Sequence, residues 1–253
     1  MARRKNSNRR RRRGGFGFLY KLLSTLVICG AIVAALTLFF RVDTVVVTGN
    51  VRYTREEIVS ATGIQIGDNL SLLNKHDVAQ NLQQKLPYIE LPRINRKYPD
   101  TLLIEVSECD FTLALVQDGG VWYLSPGGKI VEQTAAPLTR QVPVVDGCKL
   151  LAPSVGTPIA LATEYASQQE SLLGLLKALD EAALLDQVHA IHLGEISMLT
   201  MEFGGRFTVE LPYGADYAYK LRALQTVIGK LESNETGTIC LTRDDGRVNF
   251  IRK

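Results

Sequence analysis

The stretch Arg96-Lys97-Tyr98-Pro99-Asp100-Thr101-Leu102-Leu103-Ile104-Glu105-Val106-Ser107-Glu108 decides the first folded unit. Pro99-Asp100 turns the chain. Beyond the turn, Leu102, Ile104 and Val106 alternate with Leu103, Glu105 and Ser107, the two-residue period of a strand with one face buried. Working back, Ile89 to Lys97 is strand-like but carries Pro92, which suits an edge or a bulge. Asn74 to Leu86 reads as a helix, with Val78, Leu82 and Leu86 at four-residue spacing and Pro87 after its end. A shorter helix is predicted from a Thr54 cap to Gly63, with Glu56 and Glu57 in the first turn, where the helix dipole favours acids. Val42 to Thr48 is β-branched and closes on the turn pair Gly49-Asn50. The predicted order over residues 41–109 is therefore β-α-α-β-β.

Just before this unit, Leu22 to Phe40 runs through LLSTLVICGAIVAALTLFF without a charge. At 1.5 Å per residue such a helix spans roughly 28 Å, close to the thickness of a bilayer's hydrocarbon core. The charge pattern agrees. Nine of the 29 basic residues lie in residues 1–21, with no acid among them, leaving 20 basic against 26 acidic groups in the rest. Arg9, Arg10, Arg11, Arg12 and Arg13 precede the apolar run, so the positive-inside rule predicts a cytoplasmic tail over residues 1–21, a span over 22–40 and the remainder outside. The same arginines suit anionic lipid, and no nucleic-acid partner is expected. A cleaved signal peptide fits less well, because Leu36 to Phe40 is bulky and has no small-residue cleavage site. A lipoprotein signal is disfavoured by Ile28 directly before Cys29.

Beyond Glu108, Phe111 to Gln117, Gly120 to Leu124 and Gly127 to Gln133 read as short strands, followed by a Pro/Gly-rich loop from Pro143 to Pro158. A helix carries Leu172, Leu175, Leu176 and Leu179 on one face. Strands are predicted over Gln187 to Leu193, Ile196 to Phe203 and Arg206 to Leu211, then a helix from Ala215 to Leu231. A final hairpin joins Thr238–Thr242 to Arg247–Ile251 through Asp244-Asp245-Gly246, where Asp-Gly is a favoured turn pair. Residues 110–253 thus form a mixed α/β domain with an antiparallel sheet, and the chain as a whole is of the α+β class.

The ordered set resembles a POTRA domain placed after a membrane helix. Val45 to Asn50 looks like its first strand and turn, Gly67-Asp68-Asn69-Leu70 like its interhelical loop, and Arg96 to Glu108 is similar to its R-x-x-P-x-T-L-x-I-x-V-x-E signature. With the basic tail, and with Val121-Trp122-Tyr123-Leu124 before Gly127-Gly128-Lys129-Ile130 as in the hairpin opening the family's β domain, the pattern resembles the FtsQ/DivIB cell-division family. The resemblance implies a non-catalytic scaffold of the inner membrane at the division septum. It would bind FtsB/DivIC-like and FtsL-like partners through its last strands. The residues it points to are Ile239, Leu241, Arg243, Asp245, Gly246, Val248 and Phe250, with Val248 and Phe250 as apolar anchors or as core. Cys240 and Thr242 stand where the family often has an acid and an arginine, which shifts weight from side chains to backbone pairing. A second docking surface is expected on the first unit at Val45, Val47, Leu102 and Ile104.

A search for chemistry returns no catalytic motif: there is no G-x-S-x-G, S-x-x-K, P-loop or G-x-G-x-x-G. His189 and His192 lie three apart in a predicted strand, an offset that puts side chains on opposite faces and argues against one shared metal ion. His76 stands alone, and Asp244-Asp245 beside glycine are turn formers. Cys109, Cys148 and Cys240 form no C-x-x-C pair. No cofactor and no metal are expected. Two other readings remain: a POTRA protein of another envelope assembly or secretion system, and a membrane-anchored cell-wall enzyme.

Overall fold

The computed structural model describes residues 16–243 and 248–253. Its first element, α1 (Phe16–Phe39), starts before the uncharged run because a single lysine, Lys21, does not interrupt a helix. Within it Gly17–Thr37 is long and apolar enough to cross a membrane. The five arginines at positions 9 to 13 lie outside the described residues, as do Asp245 and Gly246.

The next unit follows the predicted order: β1 (Thr44–Thr48), α2 (Arg55–Thr62), α3 (Lys75–Lys85), β2 (Arg93–Lys97) and β3 (Thr101–Glu105). β3 is central, parallel to β1 and antiparallel to β2. Thr54 does more than cap α2. Its hydroxyl accepts from the Glu57 amide while the Glu57 carboxylate accepts from the Thr54 amide, a capping box that satisfies two otherwise open donors at the helix start. Gly63 ends α2 at φ 75, a left-handed conformation suited to glycine. Gly49 is required for a different reason, since a Cβ there would overlap the carbonyl oxygen of Val106. The predicted strand from Ile89 begins only at Arg93, after Pro92, which has no amide to give a ladder.

Both helices pack on one face of this small sheet. Leu102 and Ile104 are fully buried and Val45 nearly so, among Ile58, Leu70 and Leu82, with Val47 packed half-buried against them. The docking surface expected at Val45, Val47, Leu102 and Ile104 is therefore corrected. Their alternation marks the face turned to the helices, which cover Val45, Leu102 and Ile104 and half-cover Val47.

The remaining residues build a mixed sheet. It comprises β4 (Leu113–Gln117), β5 (Gly120–Leu124), β6 (Ile130–Ala135), β7 (Val144–Asp146), β8 (Val188–His192), β9 (Met198–Phe203), β10 (Phe207–Pro212), β11 (Gly237–Cys240) and β12 (Asn249–Arg252). Among the described residues the sheet is open, in the order β12-β11-β10-β9-β8-β7-β4-β5-β6. Most pairs are antiparallel, but β4–β7, β7–β8 and β10–β11 are parallel. The helix α4 (Ala166–Glu181) buries Leu172, Leu175, Leu176 and Leu179, and α5 (Tyr217–Ile228) buries Leu221 and Leu224, in the same core as Ile191, Met201, Val209 and Ile239. β7 lies inside the stretch read as a Pro/Gly loop.

A third, smaller cluster ties the two units together. Tyr88 and Cys109 pack with Ala114, Val121, Tyr123 and Val131. Around it Glu132 accepts from the Tyr88 hydroxyl and takes both ends of the Arg140 guanidinium at 2.6 and 2.8 Å, while Arg52 lies 3.7 Å over the Tyr88 ring. Nearby, Lys129 Nζ donates to the Ile89 carbonyl at 2.6 Å, and burial lowers the Lys129 pKa.

Candidate functional site

The outermost strand at one end of the sheet is β12, and the local sequence explains why it lies there. α5 carries the chain from β10 back to β11, which makes those two strands parallel. Asp216 caps α5, its carboxylate accepting from the Tyr219 amide at 3.0 Å. Gly237 opens β11 where a Cβ would overlap the Ile251 carbonyl oxygen, so only glycine allows β12 to approach. β12 then pairs antiparallel with β11, Ile239 opposite Phe250 and Thr238 opposite Ile251.

The register shows which backbone groups remain unpaired. Lys253 donates its amide to the Thr236 carbonyl at 3.0 Å, which makes that pair a hydrogen-bonded one. Antiparallel partners alternate between bonded and non-bonded pairs. Thr238–Ile251 and Cys240–Asn249 are then bonded, and the amides and carbonyls of Phe250 and Arg252 point away from the sheet. No described strand covers them. Such an edge is a template for an incoming strand.

Beside it runs a groove of about 520 Å³ between α5 and the start of β12, bounded by Tyr219, Arg222, Thr226, Lys230 and Val248. Its helical side is a row at three- and four-residue spacing. Sequence reasoning passed over these residues because they are the polar face of an amphipathic helix; the spacing was legible, the neighbouring strand edge was not.

The predicted site residues separate into three groups. Ile239 and Leu241 are buried in the core, so as side-chain contacts they are corrected: their strand lies over α5, and alternate residues must face it. Val248 and Phe250 are partly buried against the same core, and Phe250 meets Phe207 edge-on with ring centres 6.2 Å apart. Arg243 is exposed, and its carbonyl accepts from Lys220 Nζ at 2.6 Å. Lys220, the one charged residue buried among the described residues, was not foreseen. At the other end of the edge Arg252 is ion-paired with Glu235, and this contact, with the Glu232 amide, lowers the Glu235 pKa. Cys240 lies beside Glu210, and burial with that neighbour pushes its thiol up to about 11.

The histidine pair also differs from expectation. A bulge between Val188 and Ala190 breaks the alternation and brings His189 and His192 to the solvent side. His189 lines a groove with Glu202, and His192 contacts Asp146 at 2.9 Å and Glu202 at 3.8 Å. Among the described residues no group of three or more His, Cys, Asp and Glu side chains is arranged to hold a metal ion.

An apolar helix long enough to cross a membrane precedes a β-α-α-β-β unit and an open mixed sheet. Residues 40–108 match the POTRA domain of the FtsQ type. The chain is similar to the cell division protein FtsQ of Syntrophotalea carbinolica, 29% identical over 200 residues, 77% of this chain and 67% of that protein. Against the cell division protein DivIB of Streptococcus gordonii it is 31% identical over 122 residues, 46% of this chain and 30% of that one. Against the cell division protein FtsQ of Geobacter sp. strain M21 it is 26% identical over 193 residues, 75% and 60% of the two chains. The chain thus carries an FtsQ-type POTRA domain and is similar over about three quarters of its length to the two FtsQ proteins and over 46% of it to the DivIB protein, although it spans only 30% to 67% of the length of these relatives.

Proposed function

We propose that the protein is a non-catalytic scaffold of the division machinery. It is held by α1 as a single-pass protein of the inner membrane at the division septum, with the arginine-rich tail inside and the folded units outside. It captures an FtsB/DivIC-like partner, and an FtsL-like protein through it, and so helps control septal wall synthesis. The observation that carries this reading is the open edge of β12, with outward backbone groups at Phe250 and Arg252 next to the α5 groove. A strand added there would continue the sheet and lay alternate side chains over the groove. Arg222 and Lys230 on its rim favour an acidic occupant. Backbone pairing then matters more than side chains; Arg243, Asp245, Gly246, Val248 and Phe250 would shape or flank the edge.

A second docking surface is the outer edge of β1. There a groove of about 530 Å³ runs between β1 and α2, lined by Thr44, Arg55 and Val59. It replaces the buried side chains first assigned to that role.

The test is partner capture by the full-length protein in lipid nanodiscs. Arg252→Pro removes an outward amide without removing a bond to β11, and should weaken capture of an FtsB/DivIC-type ectodomain at least roughly tenfold, the scale of one lost hydrogen bond or more. Full capture by a folded Arg252→Pro protein would sink the reading.

A further inference from the structure

We infer that the base of the POTRA unit is a lipid-facing collar, seated in the membrane interface on the side where α1 emerges. The inference rests on α1 as a membrane span. Gly17–Thr37 at 1.5 Å per residue measures about 32 Å, enough to fill the hydrocarbon core of about 30 Å. Phe39 and Phe40 therefore fall in the headgroup layer.

The POTRA unit begins there without a spacer. Asn69 Nδ2 donates to the Thr37 carbonyl at 3.1 Å and the Leu70 amide donates to the Phe40 carbonyl at 2.9 Å, so the interhelical loop satisfies carbonyls that the end of a helix leaves open. The Val42 amide donates to Asp68 and the Gly67 amide to Val42, both at 2.8 Å. The loop is thus held at the level of the last helical turn.

Exposed apolar side chains gather at this level. Ile66 and Leu72, on either side of the paired stretch, are each 78% exposed. The Tyr98 ring stands edge-on to Phe40 with centres 5.0 Å apart, and is more than half exposed. An aromatic ring with a polar tip suits the headgroup layer. Leu72 is three residues from Asn69, within roughly 11 Å of it along the chain. In a soluble protein such an arrangement leaves apolar surface in water; at the foot of a membrane helix the lipid covers it. The charges there are mixed, with Arg41, Lys75 and Arg96 against Asp43, Asp68 and Asp100. The collar is accordingly held by apolar burial and needs no anionic lipid.

The test uses the full chain in nanodiscs of phosphatidylcholine with brominated acyl chains, which quench nearby indole fluorescence. Trp122, the sole native tryptophan, sets the baseline. Single tryptophans replace Val33 inside α1, Leu72 in the collar, and Ile196, which is 96% exposed on the second unit. Clear quenching of the tryptophan at 72, weaker than at 33 because the collar lies in the interface, with none at 196, is the expected result. Quenching at 33 but not at 72 overturns the collar and leaves the span standing. Quenching at neither overturns both.

Discussion

Lys220 on α5 donates its Nζ to the carbonyl of Arg243 across 2.6 Å, joining a buried ammonium to the segment that leaves β11. The bond holds the end of β11 against the helix, beside the groove proposed to receive a partner. Lys220→Met keeps the aliphatic stem but removes this hydrogen bond. It should lower stability by about 1–3 kcal/mol. Calorimetry on the full chain would read this, and an unchanged Tm would show that the tie is dispensable.

Gly237→Ala places a methyl group against the Ile251 carbonyl. The expected cost is about 2 kcal/mol, with the loss concentrated where β11 meets β12. Hydrogen exchange should rise at Ile251 and Lys253 before it rises in the core, and uniform exchange across the sheet would contradict the assignment.

Glu132 couples the two folded units, and its carboxyl pKa is lowered chiefly by the Arg140 hydrogen bonds. A lowered pKa means a contribution present above the ordinary carboxyl value of 4.5 and lost as pH falls through the folded value. Glu132→Gln should cost about 2 kcal/mol at neutral pH and flatten the acid limb of the stability curve. An identical acid limb in wild type and variant would refute the role.

Cys109, Cys148 and Cys240 carry thiols pushed up by burial to about 12, 11 and 11. In a Cys29→Ser protein, alkylation at pH 8 should therefore be roughly a hundredfold slower than for an ordinary thiol, and should accelerate about tenfold per pH unit up to pH 11. Fast labelling at neutral pH would show a thiol in a different setting.

Much of the fold was legible because local signals agreed with the tertiary result. The Thr54 cap, the Gly63 stop, the apolar run of α1 and the alternation from Leu102 to Val106 each state a rule that the structure obeys. Alternation, however, names two faces without saying which one meets a partner. Val45, Leu102, Ile104, Ile239 and Leu241 were assigned to binding, yet they are the inner faces of strands covered by helices. β7 escaped notice because Val144–Asp146 is too short to show a period and is flanked by Pro143 and Gly147. The His189–His192 offset failed for a local reason, since one bulge shifts every later side chain by a face. The site itself, an unpaired backbone beside α5, is a property of strand order, which no window of sequence contains.

The bonds from Asn69 and Leu70 to the end of α1 join that helix to the POTRA unit, and the cluster around Tyr88 joins the unit to the sheet that ends in β12. With α1 spanning the membrane as proposed, these joints would give the open edge a set height and compass bearing relative to that helix. When that helix spins about its own axis, the edge sweeps a circle parallel to the bilayer. On the proposed function, a partner confined to the same membrane would meet it over one arc of that circle, and capture would become a matter of rotational timing in two dimensions.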